Sequence, residues 1–155
     1  MSKNLIFFAD GGSRGNPGPS ACGFVIYELS SSNFTDLNNS NLDKYKPSFE
    51  LIKEKGQFLG IKTNNQAEWQ GLILGLKTIL EIFPKEKVNL KVFLDSQLVV
   101  RQAIGQYKVK NPGLQELFME FKKLIKHFEN CKIEHIYREQ NQEADKVVNQ
   151  ILDNN

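Results

Sequence analysis

At 155 residues the chain has the length of one domain and can bury a core of its own. Hydrophobic residues make up 40% and charged residues 25%, the balance of a soluble globular protein, and no apolar run approaches membrane-spanning length. A net charge of +2 permits binding to a polyanion without requiring it.

The chain begins "MSKNLIFFADGG", whose apolar stretch ends at Asp10 and is too short for a signal-peptide core, so a cytoplasmic protein is expected. Residues 3–9 and 21–28 read as strands joined through the glycine- and proline-rich stretch from Gly11 to Pro19. That stretch suits a β-hairpin turn, and equally suits the close approach of a phosphate or a polymer backbone. Residues 29–47, "LSSSNFTDLNNSNLDKYKP", are polar and lack a usable period, and read as a flexible insertion. Residues 48–60 resume as a third strand and complete an antiparallel meander.

From Asn65 to Phe83, the positions Leu72, Leu76, Ile79, Leu80 and Phe83 form a helical stripe that Pro84 ends. Residues 88–95, "VNLKVFLD", read as a buried strand, followed by a short helix from Ser96 to Gly105. Leu114, Leu117, Phe118, Phe121, Leu124, Ile125 and Phe128 mark the cleanest amphipathic helix. "CKIEHIY" is a fifth strand, and a last helix runs from Gln142 to Leu152. Cys22 and Cys131 fall in strand-like segments without metal-ligand spacing and are expected to be buried free thiols. The order β-β-β-α-β-α-α-β-α implies an α/β fold: a mixed five-stranded sheet, three antiparallel strands then two parallel ones, with helices on both faces. Residues 1–155 read as a single domain.

Asp10 ends the first strand and Asp95 the fourth, each after an apolar run. A carboxylate beside Leu5, Ile6, Phe7, Phe8 and Ala9 loses solvation unless something compensates it. If the two strands are parallel neighbours, both carboxylates emerge at one edge, where the crevice of an open α/β sheet lies. The plainer reading is that Asp10 opens an Asx-type turn and Asp95 caps the next helix. Glu68 fits a capping box with Asn65 as N-cap, yet also lies on the shoulder of the stripe formed by Leu72, Leu76 and Ile79. Asp145 repeats that geometry relative to Val148 and Leu152, whereas Glu143 reads as part of a solvated face. Four carboxylates sharing one edge repel unless a cation or a proton intervenes. Oxygen ligands without thiol or imidazole select Mg²⁺ or Mn²⁺ over zinc. Two such ions about 4 Å apart would form a clamp for phosphodiester hydrolysis.

Taken together, "DGGSRGNPGP", "TNNQAE", "LDSQLVV", "YKVKNP" and "REQNQEAD" resemble the type 1 ribonuclease H family, metal-dependent endonucleases that cut the RNA strand of RNA–DNA hybrids. The resemblance covers nearly the whole chain apart from the insertion. It implies that Asp10, Glu68, Asp95 and Asp145 hold two Mg²⁺ ions, with Mn²⁺ a possible substitute. It also implies cleavage that leaves 5′-phosphate and 3′-hydroxyl ends. Asn16, Asn64, Asn65 and Gln97 match positions that contact bases and sugars in the minor groove, where a 2′-hydroxyl marks the RNA strand. Gly11 and Gly12 would admit the ribose close to the main chain, and Thr63 and Asn111 match a pocket for a DNA-strand phosphate. Asn111, in "KNPG", equally fits an ordinary loop into a helix.

The chain departs from the family pattern in three places. "QYKVKN" is too short for the basic, tryptophan-bearing protrusion of many members, so Lys108 and Lys110 are left as a reduced phosphate-contacting patch, or as a solvated loop. The loop before Asp145 lacks the product-release histidine; His127 and His135 lie elsewhere, and Arg138 or Glu139 is the candidate substitute. Ile61 stands where an arginine often precedes the phosphate-pocket threonine. Trp69 is expected to pack on its helix flank rather than stack on bases. A non-catalytic nucleic-acid-binding module would be expected to lack a carboxylate, and an exonuclease of the same superfamily to carry Asp-x-Glu in its first strand, where Gly11 and Gly12 follow Asp10. The expected partner is a hybrid duplex and not a membrane, with the protein a monomer.

Overall fold

The computed structural model describes residues 2–155. Five strands, β1 (Ser2–Ser13), β2 (Gly18–Glu28), β3 (Glu50–Lys62), β4 (Lys87–Leu94) and β5 (Asn130–His135), form one sheet in the order β3-β2-β1-β4-β5. β1 pairs antiparallel with β2, which pairs antiparallel with β3, while β1–β4 and β4–β5 are parallel. This is the mixed sheet expected from the element order, although β1 does not stop at Asp10: it continues through Gly11 and Gly12 to Ser13, opposite Ser20.

Strand alternation divides the core. Leu5, Phe7 and Ala9 face one side with Leu90, Val92 and Leu94, and pack under α3 (Asn64–Ile82) through Trp69, Leu72, Leu76 and Ile79. Two further helices on this side, α4 (Gln97–Ala103) and α5 (Pro112–Ile125), add Val99, Val100, Leu114 and Phe121. Trp69 is fully buried, donating its indole N–H to Gln102 Oε1 at 3.1 Å with Phe118 and Phe121 edge-on, so its role is packing, as expected. Cys22 and Cys131 are free thiols, which burial pushes up to about 12. Residues 104–111 connect α4 to α5 without an extra helix.

The other side holds the main correction. Residues 29–47 are not a flexible insertion: they fold into α1 (Ser31–Asp36) and α2 (Leu42–Tyr45), followed by a 3-10 turn at Lys46–Ser48. Phe34, Leu37, Leu42 and Tyr45 are buried against Ile6, Phe8, Phe93 and Ile136. Helices of six and four residues do not persist alone, so tertiary burial, worth about 1.5–3 kcal/mol per large apolar side chain, holds them. Lys91 of β4 ties down the end of α1 by donating to the carbonyls of Phe34 and Leu37. Helix α6 (Gln142–Asp153) covers the remainder of this face through Ala144, Val148 and Leu152. Among the described residues no helix is long and apolar enough to cross a membrane.

Candidate active site

Ala9 of β1 is the register partner of Leu94 of β4, so the next residues, Asp10 and Asp95, leave the parallel pair at the same edge. The helix-capping alternatives fall away. Ser96, not Asp95, caps α4, accepting from Val99 N at 3.2 Å. Thr63 and Gln66, not Asn65 and Glu68, form the capping box of α3: Thr63 Oγ1 accepts from Gln66 N at 3.2 Å, and Thr63 N donates to Gln66 Oε1 at 2.9 Å. Glu68 is thus left out of the cap and turns to the cleft lined by Ala9, Asp10, Glu68, Leu94, Asp95 and Val99.

What brings Glu68 to Asp10 is the crossing of α3 over β1. A Cβ on Gly11 would overlap the Ala67 carbonyl and the Glu68 backbone nitrogen, and one on Gly71 would lie 2.7 Å from the Asp10 carbonyl oxygen. Two glycines therefore let the helix touch the strand on either side of Asp10. Gly11 N–H is turned to Asp10 Oδ1 at 2.9 Å. At Gly12 a Cβ would meet only Val148 Cγ1, at 3.8 Å.

The electrostatics follow from this packing. Burial, reinforced by the charges of Asp95, Glu68 and Asp145, pushes Asp10 up to about 8 against the opposing hydrogen bond from Gly11. Burial also pushes Glu68 up to about 7; Asp95 adds to the rise, while a hydrogen bond from Ser96 and the charge of Arg138 oppose it. Asp10 is thus within electrostatic reach of all three other candidates. As placed, no three carboxylate, imidazole or thiol groups among the described residues converge closely enough to close around an ion. The donor set nevertheless fits a hard divalent cation, since it offers only carboxylate oxygens and a shared excess of negative charge.

The other candidates fall into two groups. Asn64 N donates to Asn16 Oδ1 at 3.0 Å and Ser13 N to Asn64 Oδ1 at 2.9 Å, so these amides clip the β1–β2 turn to the start of α3. Asn65 lies beside them in the first turn of α3, and Gln97 is exposed in the first turn of α4. Asn111 caps α5, accepting from Gly113 N at 2.7 Å, which is the plain reading of "KNPG". A Cβ on Gly113 would lie 2.9 Å from Gln66 Nε2, so the N-termini of α3 and α5, with Thr63 and Asn111, are neighbours. Arg138 and Glu139 lie exposed in a 3-10 turn before α6, and Lys108 and Lys110 are exposed in the α4–α5 connection.

Two functional side chains escaped the sequence reading. Ser96, which caps α4, also sits close enough to Glu68 to oppose the rise of its carboxyl. Asn141, fully buried, donates its side-chain Nδ2 to the Ala9 carbonyl at 2.9 Å and to Asp95 Oδ2 at 3.2 Å, and its backbone carbonyl accepts from Asp145 N at 3.1 Å. It joins the elements carrying Asp10, Asp95 and Asp145, and its Oδ1 is buried without a partner. The signal available was position alone: Asn141 precedes Asp145 by one helical turn.

Residues 51–151 match the reverse transcriptase-like family model. The chain is 34% identical over 149 residues to the bifunctional protein Rv2228c of Mycobacterium tuberculosis, covering 96% of this chain and 35% of that protein. It therefore spans about a third of the length of that relative. To the ribonuclease HI of Halobacterium salinarum it is 32% identical over 146 residues, covering 94% of this chain and 63% of the other. Among solved structures, LC11-RNase H1 in complex with an RNA/DNA hybrid superposes with a TM-score of 0.79 at 32% identity, covering 97% of each chain. Sheet order, site placement and these likenesses agree: the chain belongs to the type 1 ribonuclease H family.

Proposed function

We propose that the protein hydrolyses the RNA strand of RNA–DNA hybrids at Asp10, Glu68, Asp95 and Asp145, with two Mg²⁺ ions or Mn²⁺ in their place, leaving 5′-phosphate and 3′-hydroxyl ends. The observation that carries this reading is Asp10, half-buried at the shared edge of β1 and β4 in one cleft with Glu68 and Asp95, where burial and the neighbouring carboxylates push it up to about 8. Bound divalent ions would supply an activated water and charge stabilisation at the departing 3′ oxygen. This chain's own residues orient that centre. Asn141 fixes Asp95 against β1, Ser96 sits close to Glu68, and Arg138 sets a positive charge toward it. Asn16, Asn64, Asn65 and Gln97, with the main chain at Gly11 and Gly12, are the candidates for reading the minor groove. Thr63 and Asn111, at two neighbouring helix N-termini, are the candidates for gripping a DNA phosphate. Lys108 and Lys110 add only a small basic patch, so hybrid affinity should be weak. Glu139 is the remaining loop residue offered in place of the missing histidine.

We read residues 1–155 as one catalytic domain that acts as a monomer in the cytoplasm. The test is incubation of end-labelled hybrid beside single-stranded RNA, double-stranded RNA and duplex DNA, with analysis of the product ends. Internal cuts confined to the hybrid's RNA strand, with extendable 3′-hydroxyl ends, are expected. Binding without cleavage under either metal would make the protein a hybrid-binding module instead.

A further inference from the structure

The loop that leads from β5 into α6, residues 136–141, carries Arg138 toward Glu68 and delivers Asp145. It is held from two sides. On the inner side Asn141 bonds Ala9 and Asp95. On the outer side the holding group comes from the insertion, a segment that contributes no carboxylate to the site. Asn39, between α1 and α2, donates its side-chain Nδ2 to the carbonyl of His135 at 2.8 Å, where β5 ends. Its own carbonyl accepts from Gln140 Nε2 at 3.5 Å, and Gln140 in turn accepts from Tyr137 N at 2.9 Å. Ile136, at the root of the loop, is buried in the same cluster as Leu37 and Leu42, which flank the Asn39 turn. That turn is itself fixed: Asn38 N donates to Asn41 Oδ1 at 2.8 Å, and Asn41 Nδ2 donates to the Asp36 carbonyl at 2.9 Å. The brace is therefore a rigid corner pinned to the core, with one amide reaching across 96 residues of sequence to the start of the catalytic loop.

We infer that the insertion serves as a brace for the catalytic loop and that Asn39 is its positioning residue, a role that rests on the ribonuclease reading of the site. Active-site groups need placement to within about 0.5 Å, and supporting hydrogen bonds from packed elements supply it. Asn39 touches neither the four carboxylates nor the cleft, so its effect on catalysis passes through the placement of Arg138 and Asp145 alone.

The experiment compares the whole chain with Asn39→Asp, Asn39→Ala and, as a reference in the same insertion, the exposed Thr35→Ala. Asn39→Asp keeps the shape and loses the donor, setting oxygen against the His135 carbonyl. Two readouts are taken. Limited trypsin digestion in chelator measures cleavage after Arg138, inside the braced loop, relative to cleavage after Lys108 in the α4–α5 connection. Losing one hydrogen bond should raise that ratio about five-fold in both Asn39 variants and leave it unchanged in Thr35→Ala. Steady-state cleavage of hybrid should show kcat reduced about ten-fold with KM changed less than two-fold. A merely structural role would speed digestion at both sites together and give no split between kcat and KM. An unchanged Arg138 ratio in Asn39→Asp, or a raised ratio with unchanged kcat, overturns the inference. A wild type that cuts no hybrid sinks the ribonuclease reading instead, and the digestion ratio still decides whether Asn39 holds the loop.

Discussion

Replacing Asp10 by asparagine should abolish cleavage and make the folded protein more stable, by an amount that grows with pH. The carboxyl of Asp10 moves from 3.8 to about 8 on folding, driven by burial and then by Asp95, Glu68 and Asp145. Between those values the native state binds more protons than the unfolded state, so wild-type stability falls as pH rises through the window. At pH 7 the gap from 3.8 is about three pH units, which at about 1.36 kcal/mol each gives up to about 4 kcal/mol. At pH 5 the same arithmetic leaves less than about 2 kcal/mol. Asparagine is neutral throughout and can still accept the Gly11 N–H, so the variant lacks this slope. Urea unfolding in chelator from pH 5 to 8 measures the difference directly. The gain in Asp10→Asn should be small at pH 5 and largest at pH 8. Parallel stability profiles for the two proteins would refute the electrostatic account of the site.

Urea unfolding checks three further expectations. Gly11→Ala should cost about 3 kcal/mol, because its Cβ meets backbone of α3, whereas Gly12→Ala should stay within about 0.5 kcal/mol. Leu37→Ala should cost about 2–4 kcal/mol, since the insertion is part of the core; a change under about 0.5 kcal/mol would restore the picture of a flexible segment. Thr63→Ala removes the acceptor of the α3 capping box and should cost about 1 kcal/mol.

Much of the fold was legible because its long elements are strongly patterned. The stripe of Leu72, Leu76 and Ile79 and the apolar runs before Asp10 and Asp95 depend only on local sequence, and each sits where its period places it. The insertion was not legible for the converse reason. Phe34, Leu37, Leu42 and Tyr45 are spaced among Ser and Asn residues that favour turns, and only the face formed by Phe8, Phe93 and Ile136 makes helices of them. Asp10 and Asp95 leave the sheet at one edge with Glu68 in the same cleft, while the helix caps lie one or two residues from where the sequence suggests them, at Ser96 and Thr63. Asn141 and Asn39 act through hydrogen bonds across 132 and 96 residues of chain, a separation at which one sequence carries no signal.

The most direct measurement is single-turnover cleavage of a 5′-labelled RNA–DNA hybrid by the wild type and by Asp10→Asn, each with Mg²⁺ and with chelator. Rapid internal cutting of the RNA by the wild type in Mg²⁺, absent in chelator and absent in Asp10→Asn, is the predicted result. Cleavage that persists in chelator, or in Asp10→Asn at the wild-type rate, would contradict a metal-dependent centre built on Asp10.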